Sequence, residues 1–237
     1  MRVVISQPMY FPWLGQINQA LLADVFVFYS DVQFARGFIN RVQLLIDGKQ
    51  EFITVPTVGS KRKNINELML HSGEEWRDRH LAKLKYSLGH CPFFDEVLNI
   101  FNDVVFSSHH SLADVSSASV MRLCEEIFPD NCPIFYNSTN FPRNSTSTQS
   151  LVDICKQIGA THYLTGHGAT NYIDTRLFLK EGIEIEYIGY RIKPYPQENG
   201  THLTSYVSAL DAIARIGSKD VASMLNSSII PAVDFKG

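Results

Sequence analysis

The sequence has no long run of lysine or arginine, and with 21 basic against 24 acidic residues its formal net charge is -3. A general nucleic-acid binder needs clustered positive charge to neutralise phosphates, so nucleic acid is set aside as the main partner. Long apolar runs are missing too. The opening Met1-Arg2-Val3-Val4-Ile5 gives way at once to polar and turn residues, which argues against a signal peptide or membrane insertion and for a cytoplasmic protein. On that reading the Asn-x-Ser/Thr sites at Asn137, Asn144, Asn199 and Asn226 are chance matches rather than glycan acceptors.

Cys91, Cys124, Cys132 and Cys155 form no Cys-x-x-Cys pair and no zinc-like spacing with histidine, and are expected to be free thiols. The histidines at 71, 80, 90, 109 and 110 lack the His-Glu-x-x-His spacing, so no bound metal is expected. No Walker or standard acyltransferase motif is visible. No Asp-x-Asp is present to hold a metal diphosphate, which weighs against a glycosyltransferase.

What is present is an ordinary globular composition, 45% hydrophobic and 19% charged, in 237 residues. With no internal repeat or low-complexity linker, residues 1–237 read as a single domain. Residues 2–6 form a short apolar strand that Pro8 and Pro12 prevent from continuing. Helical spacing follows at Leu14, Ile17, Leu21 and Leu22, and Asp24 to Phe28 is again of strand length. Asp47-Gly48 between two β-rich runs predicts an antiparallel hairpin over about 41–56. Helical patterns at about 74–88, 93–107 and 111–127 form a helical insertion. Strand and helix then alternate: a strand at 134–136, a helix from Ser147 to Ile158 closed by Gly159, a strand at 162–164, a helix through Leu177 and Leu179, and a strand at 183–188. A helix over 206–216 and a looser last stretch end the chain. The expected fold class is α/β, with a mostly parallel, Rossmann-like sheet, helices on both faces, a β-hairpin and a helical insertion.

In such sheets ligands bind outside the carboxyl ends of the strands, which nominates three loops. In Ser6 to Gly15, Gln7 is a polar candidate for ligand binding. Tyr10, Phe11 and Trp13 either stack a ligand ring or fold back as a cover over the sheet edge. In Ser30 to Arg36, Asp31 offers an acceptor or general base, and Arg36 either pairs with phosphate or belongs to a solvated turn. In Thr165 to Tyr172, Gly166 and Gly168 either cradle an anion with their N–H groups or serve a tight turn, and Thr170 and Asn171 add donors. His167 is the best-placed general acid or base, or a structural loop histidine. Arg41, Lys61, Arg62 and Lys63 are either ordinary surface charge or, if they converge on the first loop, a clamp for a diphosphate.

The residues Gln7-Pro8-Met9-Tyr10-Phe11-Pro12-Trp13-Leu14-Gly15, then Ala23 to Val27 and Asp31-Val32-Gln33, closely resemble the opening of the WbqC-like family. The resemblance continues through Asn40-Arg41, the Trp76 segment, Cys91-Pro92-Phe93-Phe94, Tyr163 to Gly166 with Asn171-Tyr172, and Pro194-Tyr195-Pro196-Gln197. Two places depart from it: Tyr29-Ser30-Asp31 is less acidic than the family pattern, and His167 stands where the family varies. The resemblance implies a place in the biosynthesis of bacterial surface polysaccharides such as O-antigen. It also implies a nucleotide-linked amino sugar as ligand, modified by N-acylation or by attachment of an amino acid to the sugar amine. ATP or an acyl donor are the candidate co-reactants, and homo-oligomerisation is left open. Two readings follow. One is an amide-forming transferase or ligase with Asp31 or His167 as base; the other is a non-catalytic nucleotide-sugar binding or scaffold protein.

Overall fold

The computed structural model describes residues 1–59, 62–191, 193–198, 201–202, 204, 206–225 and 228–231. The first strand, β1 (Arg2–Ser6), leads through the proline-bounded loop into α1 (Leu14–Leu21) and then β2 (Val25–Phe28). The hairpin follows as β3 (Arg41–Ile46) and β4 (Lys49–Thr54), with β5 (Thr57–Val58) and β6 (Met69–Leu70) as a second short pair. The insertion comprises α2 (Glu75–Leu88), α3 (Phe94–Val105) and α4 (Leu112–Ile127). Alternation resumes with β7 (Ile134–Asn137), α5 (Ser147–Ile158), β8 (His162–Thr165), α6 (Thr175–Lys180) and β9 (Glu184–Gly189). The last elements are α7 (Ala209–Ile216), α8 (Ser218–Met224) and β10 (Ser228–Pro231).

The central sheet has six strands in the order β10-β9-β8-β1-β2-β7, parallel except for the antiparallel edge strand β10. Its residues alternate between two apolar layers because successive strand side chains point to opposite faces. Val4, Phe26, Phe28, Leu164 and Ile188 meet the hairpin and the helices α1, α3, α4 and α7. Val3, Ile5, Val25, Val27, Tyr163 and Ile185 meet α5 and α6. Helices therefore cover both faces, and β1 and β2 are apolar almost throughout, as a doubly covered parallel sheet requires.

The hairpin turns through Asp47 (φ 50°) and Gly48 (φ 73°), both left-handed, as the two-residue turn matched to strand twist demands. It forms a sheet of its own rather than an extension of the central one. The C-terminal part differs from the expected single helix and looser tail. Ser208 caps α7 by accepting the Leu210 N–H at 3.2 Å, so the helix begins at Ala209 rather than 206. Gly217, at φ 81°, breaks the chain between α7 and α8. The four residues of β10 carry little strand signal of their own; the open edge of β9 supplies their pairing. Among the described residues no helix is long and apolar enough to cross a membrane.

Candidate functional site

From β1 the chain moves in one direction across the sheet, to β2 and then β7. From β8 it moves in the other, to β9. The loops after β1 and β8 therefore part, leaving a crevice at their carboxyl ends where open α/β sheets bind ligands. Two adjoining cavities occupy it. The first, about 660 Å³, is lined by Ser6, Gln7, Tyr29, Tyr163, Thr165 and Tyr172 among others. The second, about 620 Å³, is lined by Trp13, His167, Ile188, Tyr190 and Tyr206. Both share Gln19, Gly166 and Gly168, so the two cavities are halves of one cleft, one hydroxyl-rich and one aromatic.

The loop after β1 is rigid because its neighbours grip it from several sides. Gln16, 1% exposed, donates from Nε2 to the Gln7 carbonyl at 2.9 Å and to Ser6 Oγ at 3.2 Å. Phe11 sits at φ 43°, a conformation disfavoured for a side chain of its size. It is held there by its N–H donating to Ser119 Oγ at 2.9 Å, by the Ser208 hydroxyl donating to its carbonyl at 2.9 Å, and by stacking on Phe101. Trp13 turns the other way, into the cleft, edge-on to Tyr190 with centroids 5.2 Å apart. The indole lies across Gly15, where an added Cβ would stand 2.4 Å from Trp13 Cη2 and 2.5 Å from Cζ2. Only glycine allows that approach.

Tyr10 is fully buried and outside the cleft. Its hydroxyl lies 3.1 Å from His80 Nδ1, and His80 Nε2 lies 3.1 Å from the Thr54 carbonyl. A carbonyl only accepts, so Nε2 carries the proton and Nδ1 accepts from the tyrosine. Burial pushes His80 down from 6.5 to about 4, against the Thr54 hydrogen bond that raises it. The unfolded chain thus takes up a proton near pH 6.5 that the folded chain refuses until about pH 4. Stability from this group is complete above pH 6.5 and falls by about 3 kcal/mol as the pH drops to about 4. Denaturant titrations of the wild type and His80→Gln across that range check this; a slope that survives the substitution would assign the acid sensitivity elsewhere.

Asp31 lines neither half of the cleft. It accepts from Ser138 Oγ at 2.5 Å and from Arg143 Nη2 at 2.8 Å. Arg143, 7% exposed at its side chain, continues to Ser150 Oγ, which lies 2.9 Å from the Tyr29 hydroxyl at the cleft wall. Asp31 thus anchors a chain of polar groups that ends in the cleft at Tyr29. His167 lines the aromatic half at the start of a short 3-10 turn, His167–Asn171, while Asn171, exposed at its end, lines neither cavity.

The cationic residues do not gather here. Arg36 is exposed, Arg41 donates to the Gly37 carbonyl at 3.2 Å and lies 4.0 Å over the Phe52 ring, and Lys63 is exposed. Lys61 falls outside the described residues. Among the described residues, no lysine or arginine lines either half of the cleft. The structure therefore brings together Gln7, Trp13, Gly166, His167 and Gly168, and leaves Tyr10, Asp31, Arg36, Arg41, Lys63 and Asn171 off the cleft lining.

Sequence reasoning missed Tyr29, Tyr190 and Gln19. Tyr29 follows β2 and Tyr190 follows β9, so the rule that nominated the other loops extends to both. The Tyr190 hydroxyl is buried without a hydrogen-bond partner among the described residues, and burial holds its ionisation well above the usual tyrosine range. It is a donor and acceptor in waiting on the cleft wall. Gln19 has the weakest signal, one of three amides with Gln16 and Asn18 on α1, and nothing local singles it out. The four cysteines are free, and burial pushes Cys155 up to about 12, so no activated thiolate is offered there.

The WbqC-like protein family matches residues 7–223, a span that runs from the loop after β1 to α8. The chain belongs to the WbqC-like protein family. Another relative is the uncharacterized protein Rv1507c of Mycobacterium tuberculosis (strain ATCC 25618 / H37Rv), 26% identical over 225 residues that cover 92% of this chain and 95% of that protein. No solved structure matches this WbqC-like chain significantly. The matched span contains the whole lining of the aromatic half and, apart from Val4, Ile5 and Ser6 on β1, that of the hydroxyl-rich half.

Proposed function

We propose that this WbqC-like protein acts as one domain that binds a nucleotide-linked amino sugar in the cleft between β1 and β8. There it forms an amide on the sugar amine in bacterial surface-polysaccharide biosynthesis, either by N-acylation from an acyl donor such as a thioester, whose thiol leaves, or by attaching an amino acid whose carboxylate ATP activates, with the nucleotide or phosphate leaving. The observation that carries this reading is the two-part cleft at the strand-order switch. Its aromatic half, Trp13, Tyr190 and Tyr206, suits a flat ring, and its hydroxyl-lined half, Ser6, Tyr29, Thr165 and Tyr172, suits sugar hydroxyls. With no described cation on the lining, recognition rests on the ring and the sugar more than on the diphosphate. Binding should then change little with salt, unlike a site built on lysine and arginine.

His167 is the base that takes the proton from the attacking amine. It is the one candidate base of the pair that lines the cleft, whereas Asp31 is engaged by Arg143 and Ser138. Calorimetry with nucleotide-linked amino sugars tests the binding step. Gly15→Ala displaces the indole and is expected to weaken binding about tenfold, roughly the loss of one stacked aromatic contact, while the fold persists. Equal affinity in the two proteins would remove Trp13 from the site.

A further inference from the structure

A third cavity, about 700 Å³, lies between the hairpin turn, the end of α2 and α7. Two segments that the cleft does not use meet at it: Cys91-Pro92 and Pro196-Gln197. Its floor is a buried polar network. Asp211, 0% exposed, accepts from the Tyr195 hydroxyl at 2.9 Å, from Gln197 Nε2 at 3.2 Å and from Arg215 Nε at 3.1 Å. The Asp211 carboxylate thereby fixes the plane of the Arg215 guanidinium, whose side chain is only 8% exposed. Arg215 lines the cavity, and its Nη2 is buried with no hydrogen-bond partner among the described residues. A buried guanidinium nitrogen left without an acceptor is unfavourable, so a ligand that brings an acceptor is favoured there.

The wall also carries carboxylates. Asp47 stands in the hairpin turn and accepts weakly from the Tyr86 hydroxyl at 3.2 Å. Glu198 reaches the same turn, with Oε2 3.3 Å from where a Cβ on Gly48 would lie. Asp211 already matches the charge of Arg215, so Asp47, which is exposed, and Glu198, which is half-buried, make the rim at the hairpin turn negative and suited to a positive group. One ligand class satisfies both demands: a zwitterion with a carboxylate for Arg215 and an ammonium for Asp47 and Glu198.

We propose that this cavity is a binding site for a free α-amino acid or short peptide, separate from the cleft between β1 and β8. The proposal stands on Arg215 together with Asp47 and Glu198 and does not depend on the chemistry assigned to that cleft. The site takes the carboxylate on the Arg215 guanidinium and the ammonium against the two carboxylates at the hairpin turn.

Calorimetry of the full chain against single amino acids and the dipeptides glycylglycine and alanylalanine tests it. At least one zwitterion should bind with a Kd below about 10 mM. Its carboxamide and its N-acetyl derivative, each lacking one charge, should bind at least about tenfold more weakly. Asp47→Asn combined with Glu198→Gln, both near the surface, should weaken the zwitterion by a similar factor while the melting temperature stays within a few degrees. Arg215→Lys keeps a charge beside Asp211 but loses the fixed planar fork, and should weaken binding too. No binding by any compound in the panel would overturn the proposal. So would affinity that is indifferent to the carboxamide, or unchanged in the Asp47/Glu198 double variant.

Discussion

Alanine at His167 is expected to lower turnover by about 10²- to 10⁴-fold, the usual contribution of a positioned general base. The expectation follows from placement: His167 lines the aromatic half of the cleft beside the Gly166 and Gly168 turn shared by both halves. A base must lie within hydrogen-bond reach of the proton it removes, and of the two candidates His167 is the one on the cleft lining. The loss should fall on kcat more than on KM, because in the proposed role the imidazole acts on the reacting amine rather than holding the ligand. Turnover within a few-fold of wild type would assign the proton transfer to another group.

Asp31→Ala should act on stability instead. Its carboxylate is the partner of an arginine only 7% exposed, and removing it leaves that charge buried and uncompensated. Breaking a fully buried pair this way costs about 3 to 5 kcal/mol; with the Asp31 side chain 25% exposed, about 2 to 3 kcal/mol is expected. For a chain of this length that corresponds to a melting temperature lower by about 4 to 12 °C. Asp31→Asn keeps an acceptor for Ser138 and Arg143 and should lose about half as much. Differential scanning calorimetry reads the stability, and turnover per folded molecule in the same samples should change little. A melting temperature equal to wild type with abolished turnover would return Asp31 to the role of base.

These two variants separate what the sequence joined. Asp31 and His167 both follow strands, and the rule of strand carboxyl ends nominates them equally. What distinguishes them is a third residue, Arg143, more than a hundred positions from Asp31, which closes on its carboxylate. No local pattern announces that pairing. Tyr10 and Trp13 pose the same problem at shorter range. They lie in one loop on either side of Pro12, yet the left-handed turn at Phe11 sends Tyr10 inward to His80 and leaves Trp13 facing Tyr190. A strained φ at a phenylalanine is set by tertiary contacts with Ser119, Ser208 and Phe101, and spacing does not encode it.

The architecture was far more legible. The doubly apolar runs of β1 and β2, the Asp47-Gly48 turn and the stop of α5 at Gly159 each carry a local physical reason for the element they form. The elements that escaped, β5, β6, α8 and β10, are short and owe their form to a neighbour. The cationic set at Arg41 and Lys63 shows the limit of charge patterning: Arg41 is engaged by the Gly37 carbonyl and the Phe52 ring, and Lys63 is exposed and off the cleft lining.

The most direct test of amide formation in the β1–β8 cleft is mass spectrometry of the products formed when the pure protein meets nucleotide-linked amino sugars together with amino acids or acyl-CoA donors, with and without ATP. The predicted result is a mass gain on the sugar equal to the acyl or aminoacyl group, lost in His167→Ala, with its ATP dependence separating ligase from transferase. Clear binding of the nucleotide sugars without any mass gain across the panel would contradict the catalytic account and identify a nucleotide-sugar binding protein instead.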